Sequence, residues 1–246
     1  MTMFVLMFPI AAAATTLSAP PTRPPDYTEP RTATVNAAGA KVIHISGRAG
    51  FLHVQGKRGA SQVSVRGMAR ADRERNLQDI RLVAHRTGDD IYIAADIPEQ
   101  HDFDWRGSQA LDLDIDVPDN VKLDVDDGSG DLTIRGTSGV DLHDGSGNIE
   151  LENIAGDVGI EDGSGEITVH RVSGGVEVRS DGPGSVTIET VTGSVRIGRK
   201  GSGNVDVSDI GGDFTVEEKG SGGIEYQNVK GRVDVPARRH RRRYGS

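Results

Sequence analysis

Cysteine is absent from the 246 residues, which removes both a disulfide framework and any thiolate metal site. Aromatic side chains are scarce at 4 %, with one tryptophan (Trp105), so a core built on large rings is not on offer. Seven histidines (His44, His53, His85, His101, His143, His170 and His240) are scattered, and none lies in a His-Glu-x-x-His pair or a comparable ligand spacing. His44 and His53 are placed for one sheet face, where a solvent-facing role suffices. Long apolar stretches are missing too. The one run, Met3–Ala14, is too short to span a bilayer as a helix. With the small residues Ala12–Ala14 behind it, that run marks residues 1–20 as an export signal, although no Lys or Arg precedes it. Export predicts a periplasmic or secreted protein, and no cysteine near the cut means no lipoprotein anchor. Residues 21–35, rich in Pro and Thr, read as a linker.

What the chain has in quantity is glycine, 33 residues, and it is placed periodically. Asp127-Gly128-Ser129-Gly130 recurs as Asp144–Gly147, Asp162–Gly165, Asp181–Gly184 (with Pro183 for Ser), Lys200–Gly203 and Lys219–Gly222, at intervals of 17, 18, 19, 19 and 19 residues. Self-similarity at a short fixed period is the signature of a stack of layers. Between the tetrapeptides, β-branched residues alternate with polar ones: Ile167, Val169, Val176 and Val178 in one copy, Val186, Ile188, Val195 and Ile197 in the next. Period-two alternation bounded by Gly and Ser predicts short half-buried strands. Each unit is too small to bury its apolar face alone, so stacking must align the Val/Ile positions into one core. The expectation is an all-β fold, a parallel β-solenoid (β-helix) with 17–19-residue coils about 4.8 Å apart over residues 111–236. Two faces and three faces are both compatible with this period.

Residues 36–110 carry a weaker β pattern and are expected as degenerate coils, or a hairpin, capping the stack. Within them, Ala71–Gln78 is compatible with a turn or two of helix, Ile80–Ala84 and Ile91–Ala94 with a hairpin, and Glu99–Gln109 with a loop. Leu111, Leu113, Ile115, Val121, Leu123 and Val125 are expected to form the coil that launches the repeats.

The Val117-Pro118-Asp119-Asn120-Val121 lead-in, the Gly-Ser-Gly turns preceded by Asp or Lys, and the Val-x-Gly-x-Val corners resemble the bacterial "putative adhesin" family, a domain of unknown function related to autotransporter adhesin heads. The resemblance covers residues 35–236. It implies a β-solenoid on or inside the cell envelope and brings no catalytic residues with it.

Stacking in register would place Asp127, Asp144, Asp162 and Asp181 in a column about 5 Å apart, where like charges repel. Ca²⁺ with oxygen ligands would relieve the repulsion. Alternatively, each Asp hydrogen-bonds its own turn in water, and Lys200 and Lys219 offset part of the charge. The column of Ser129, Ser146, Ser164, Ser202 and Ser221 lacks a Gly-x-Ser-x-Gly elbow and reads as a corner ladder, not as nucleophiles. Outward Thr133, Thr168, Thr187, Arg196 and Thr215 are candidates for polar contacts with a ligand. The tail at 237–246 is basic and is expected to lack regular structure. Its Arg238, Arg239, Arg241, Arg242 and Arg243, set against a net charge of −9, leave −14 on the remainder. Such asymmetry marks an anion-binding segment or a block on the last strand's edge. The acidic body argues against nucleic acid as a partner. No cofactor motif occurs. The sequence therefore points to a non-catalytic, adhesin-like binding or scaffold protein whose partner is an envelope glycan, an anionic lipid or a protein. A polysaccharide-acting enzyme and a periplasmic signalling accessory that binds a protein are the alternatives.

Overall fold

The computed structural model describes residues 27–98 and 109–236. The expected export signal, most of the Trp105 loop and the arginine tail lie outside them. The N-terminal part contains β1 (Tyr27–Asn36), β2 (Val42–Ser46), β3 (Leu52–Lys57), β4 (Gln62–Ala71), a 3₁₀ helix (Glu74–Asp79), β5 (Arg81–Thr87), β6 (Asp90–Asp96) and β7 (Gln109–Pro118). The repeats follow as β8 (Lys122–Asp127), β9 (Leu132–Arg135), β10 (Gly139–Asp144), β11 (Ile149–Ile154), β12 (Val158–Asp162), β13 (Ile167–Val172), β14 (Val176–Asp181), β15 (Val186–Val191), β16 (Val195–Lys200), β17 (Val205–Ile210), β18 (Phe214–Lys219), β19 (Ile224–Val229) and β20 (Val233–Asp234).

Each repeat is one coil of two strands, so the solenoid is flattened and has two faces. The even strands from β8 to β20 pair in parallel in one sheet (sheet B), and the odd strands from β9 to β19 in the other (sheet A). The alternation dictates this. Ile149, Ile167, Val186 and Val205 stand in register and are almost wholly buried, while Glu150, Thr168, Thr187 and Asp206 between them face out. Burying one such aliphatic side chain contributes about 1.5–3 kcal/mol, and stacking recruits several per coil. The odd strands break alternation at one place. Asn153, Arg171, Thr190, Asp209 and Asn228 adopt φ between 52° and 61°, the left-handed region. Each reverses the parity, so that Ile154, Val172, Val191, Ile210 and Val229 turn back toward the core.

The cap departs from expectation in three ways. The coil β2–β3 lies between β6/β7 and β8/β9, so the layer beneath the repeats comes from residues 42–57, and not from β7. Such an insertion depends on pairing distant segments, which periodicity does not encode. The Pro/Thr-rich segment, expected to be a linker, is strand from Tyr27 onward, paired antiparallel with β4. Pro30 is tolerated because β1 is an edge strand. His44 and His53 do not share a sheet: the turn between β2 and β3 sends one to each face. The β5–β6 hairpin and the short helical segment fall where the sequence puts them.

Candidate functional site

Two arrangements carry chemistry, one inside the coil and one on its outer face. The inner one is the tetrapeptide column. Asp127 pairs in register with Asp144, Asp144 with Asp162, Asp181 with Lys200, and Lys200 with Lys219. The side chains point into the core: the four aspartates are 1–6 % exposed and Lys200 is 4 % exposed. The parity of β8 requires it, since Leu123, Val125 and Asp127 occupy alternate positions. Above Asp127 the column is continued by Gly47, where a Cβ would fall 2.0 Å from Asp127 Oδ1; glycine there makes room for the carboxylate.

The inner column is under-satisfied. Among the described residues no nitrogen or hydroxyl donor satisfies either carboxylate oxygen of Asp144, Oδ2 of Asp127 or Oδ2 of Asp162, although Asp144 and Asp162 stand close enough to share a proton when one is protonated; Asp162 Oδ1 accepts from the Ser164 N–H at 3.2 Å. Burial pushes Asp127 and Asp144 up to about 6, with the Asp127 charge adding to the effect on Asp144. Asp162 is raised for the same reason, and Asp181 goes to about 6 because burial outweighs the opposing Lys200 hydrogen bond and charge.

Lys200 shows how the turn handles a cation. Its Nζ lies 2.6 Å from Asp181 Oδ2 and donates to the carbonyls of Gly182 (3.1 Å), Gly184 (2.8 Å) and Ser202 (2.8 Å). The four oxygens outnumber the three N–H groups of the ammonium, and the carboxylate at 2.6 Å supplies the counter-charge. Lys219 donates only to Gly222 O at 2.8 Å. The serine ladder exists, but it is main-chain: Gly130, Gly147, Gly165, Gly184 and Gly203 N–H groups donate to the carbonyls of Ser146, Ser164, Pro183, Ser202 and Ser221. Pro183 fits because no hydroxyl is needed. Among the described residues, no three carboxylate or imidazole side chains converge on a point that could hold a metal ion.

The outer arrangement is a row across the whole of sheet B: His85, Tyr92, His44, Asp124, Asp141, Gly159, Glu177, Arg196, Thr215 and Asp234. The His85, Tyr92 and His44 rings stack with centroids 5.3 and 4.7 Å apart, and His44 Nδ1 lies 2.8 Å from Asp124 Oδ2. In the middle, Gly139, Gly159 and Gly175 floor a shallow groove of about 630 Å³ walled by Lys122, Asp141, Glu177, Arg179, Ser194 and Arg196. The absent side chain at Gly159 lets the Arg179 guanidinium cross the sheet to Asp141, two coils away, while its Nε donates to Glu161 at 3.1 Å. The hydrogen bond to Asp141 raises the Arg179 pKa further, so the guanidinium stays charged. Arg196 bridges Glu177 and Glu217 in the same manner. Of the sequence's outward candidates, Arg196 and Thr215 lie on this face, and Thr133, Thr168 and Thr187 lie on the other sheet. Sequence reasoning missed the groove; its signal was the pair of glycines, Gly139 and Gly159, at outward strand positions.

No family model and no curated protein matches the chain. Solved structures do. A "putative cell adhesion protein" from Clostridium sporogenes is similar over 86 % of this chain and 100 % of its own, at 11 % identity and TM-score 0.42. A "putative adhesin" from Bacteroides fragilis is similar over 87 % and 99 %, at 12 % identity and TM-score 0.36. A "putative lipid binding protein" from Parabacteroides distasonis covers 83 % and 96 %, at 13 % identity and TM-score 0.31. No helix among the described residues is long and apolar enough to cross a membrane.

Proposed function

We propose that this chain is an exported, non-catalytic binding module of the bacterial envelope that holds a glycan along the outer face of sheet B. The observation that carries the reading is the glycine-floored groove, with both signs of charge and a serine hydroxyl on its walls. A hydroxyl-rich, extended ligand fits a groove that is shallow, polar and directed along a rigid stack. Successive coils repeat roughly every 4.8 Å, a step comparable to one sugar unit, so neighbouring coils can offer successive contacts. The carboxylates around the groove are engaged by arginines, Asp141 and Glu161 by Arg179, and Glu177 and Glu217 by Arg196. That pairing orients donors for recognition, and the further carboxylate on the lining, Asp157, accepts from the Gly175 N–H at 2.8 Å. The export signal at residues 1–20 and the basic segment at 237–246 belong to the same proposal, the latter as a second, anion-directed contact.

A glycan array with the chain lacking residues 237–246 tests it. The expected result is retention of at least one acidic or neutral envelope polysaccharide, weakened about tenfold by Arg196→Ala, the loss of one charged contact of about 1.4 kcal/mol. Retention by no glycan, or equal retention by the variant, sinks the reading. Release of shortened sugars from a retained polymer would instead favour an enzyme.

A further inference from the structure

The buried aspartates ask for a positive charge, and among the described residues only Lys200 brings one to them. Asp144 is 1 % exposed, with no nitrogen or hydroxyl donor on either oxygen among the described residues, wedged between Asp127 and Asp162. A buried carboxylate without a donor is costly, so such groups pair, take up a proton or coordinate a metal. One coil of the stack shows an answer already built. The Lys200 ammonium sits at the end of the column in a cage of one carboxylate, from Asp181, and three turn carbonyls. The turns are the same in every coil, closed by the same main-chain bond from Gly to the Ser or Pro carbonyl of the next layer. In the aspartate coils, the carbonyls equivalent to those of Gly182 and Gly184 belong to Gly128 and Gly130, and to Gly145 and Gly147. Among the described residues these accept no main-chain hydrogen bond, and no side-chain nitrogen reaches them.

We propose that the acidic half of the column binds Ca²⁺, between Asp127 and Asp144 and between Asp144 and Asp162, at the positions that correspond to the Lys200 ammonium. An aspartate carries its charge on a shorter stem than lysine. A cation about 2.3–2.6 Å beyond its oxygens reaches the same depth as an ammonium. Each ion would take two stacked carboxylates and main-chain carbonyls, so the ligand set does not require three acidic side chains to meet. Calcium suits this donor set because it accepts carbonyl oxygens in flexible geometry, whereas Mg²⁺ demands near-octahedral ligation and keeps waters that a dry coil interior excludes. Gly47 closes one end of the acidic segment and the Asp181–Lys200 pair closes the other. The proposal is independent of the outer face: the ions are structural and lie on the opposite side of the sheet from the groove.

The test is metal content and melting of the full chain, unfolded and refolded in EDTA, then dialysed at pH 7.5 with or without CaCl₂. The expected result is at least one Ca²⁺ per chain by mass spectrometry. The midpoint should rise by roughly 5–10 °C with Ca²⁺ near a hundred times its Kd. Asp144→Asn should lose the rise, and Asp144→Lys should lose it while melting near the Ca²⁺-loaded wild type, having brought its own ammonium. The exposed Glu166→Gln should keep the rise in full. Identical midpoints in Ca²⁺ and EDTA, an equal rise with Mg²⁺, or a full rise in Asp144→Asn would each overturn the proposal. Should either Asp144 variant fail to fold, the wild-type metal content and midpoint decide alone.

Discussion

Replacing Lys200 by Met keeps an unbranched apolar stem in the core and removes only the ammonium. The carbonyls it leaves are those of half-buried Gly182 and Gly184 and exposed Ser202, which can turn to water. Asp181 cannot: its side chain is wholly buried. The loss therefore falls almost entirely on one unpaired carboxylate, and breaking a buried pair in this way costs about 3–5 kcal/mol. For a chain of this size that is a fall of roughly 6–20 °C in Tm. The deficit has a pH signature. Burial holds Asp181 near 6 even with Lys200 beside it, and without the ammonium the carboxyl is held higher still. At pH 8 the variant must bury the charge; at pH 5 the carboxyl takes up a proton and the deficit shrinks. Thermal or urea denaturation of the wild type, Lys200→Met, Asp181→Asn and the double variant at both pH values measures this. The double variant should be less damaged than the sum of the singles. A Lys200→Met cost below about 1 kcal/mol at pH 8, or one that grows toward pH 5, refutes the buried-pair reasoning.

In EDTA, the aspartates of the column make the fold an acid-preferring one. Asp127 and Asp144 stand at about 6 in the folded chain against 3.8 unfolded, so the folded state holds the protons more tightly. Their contribution is complete below 3.8 and is lost as pH rises through about 6, so Tm should fall between pH 4.5 and 7.5. A Tm that climbs across that interval contradicts the assignment. Gly165→Ala should disrupt the stack, because a Cβ there would meet Gly147 O at 1.6 Å; Gly39→Ala, whose Cβ meets nothing within 4 Å, should cost only about 1 kcal/mol for its positive φ. Equal melting of the two variants would show that the turns do not pack as described. Thr190→Asn should gain up to about 1 kcal/mol, since a β-branched residue at φ 61° sits in a region that Asn tolerates. An unchanged or lower midpoint counts against strain at that position.

The repeats were legible because two signals agree: β-branched residues at every second position set the strands, and the tetrapeptide sets the register. The stacked order of Asp127, Asp144 and Asp162 follows from the same count. Their direction was legible too, since Asp127 shares the parity of Leu123 and Val125, although a Gly-Ser-Gly turn suggests a residue in water. From Asp181 on, parity alone misleads. Asp181 and Lys200 follow their last inward neighbours, Val178 and Ile197, by three residues, and β12 and β14 slip register between Ile160 and Glu161 to absorb the extra one. The groove needed knowledge of which strands are neighbours before Gly139 and Gly159 could be placed on adjacent strands, Gly159 opposite Asp141. The cap was illegible for a different reason: β1, β4 and β7 pair antiparallel across long separations, and no local pattern announces that.

The interleaving of β2–β3 beneath β8–β9 makes the two ends of the molecule unequal during synthesis and decay. The first layer that the repeats build on is itself clasped by strands made later, so nothing after Lys122 has a finished template until β6 and β7 have closed over it. At the far end, layers meet only their nearest neighbours, and one can fray or be clipped away without unseating the next. The protein should erode in steps from the β20 end and fail all at once from the β1 end.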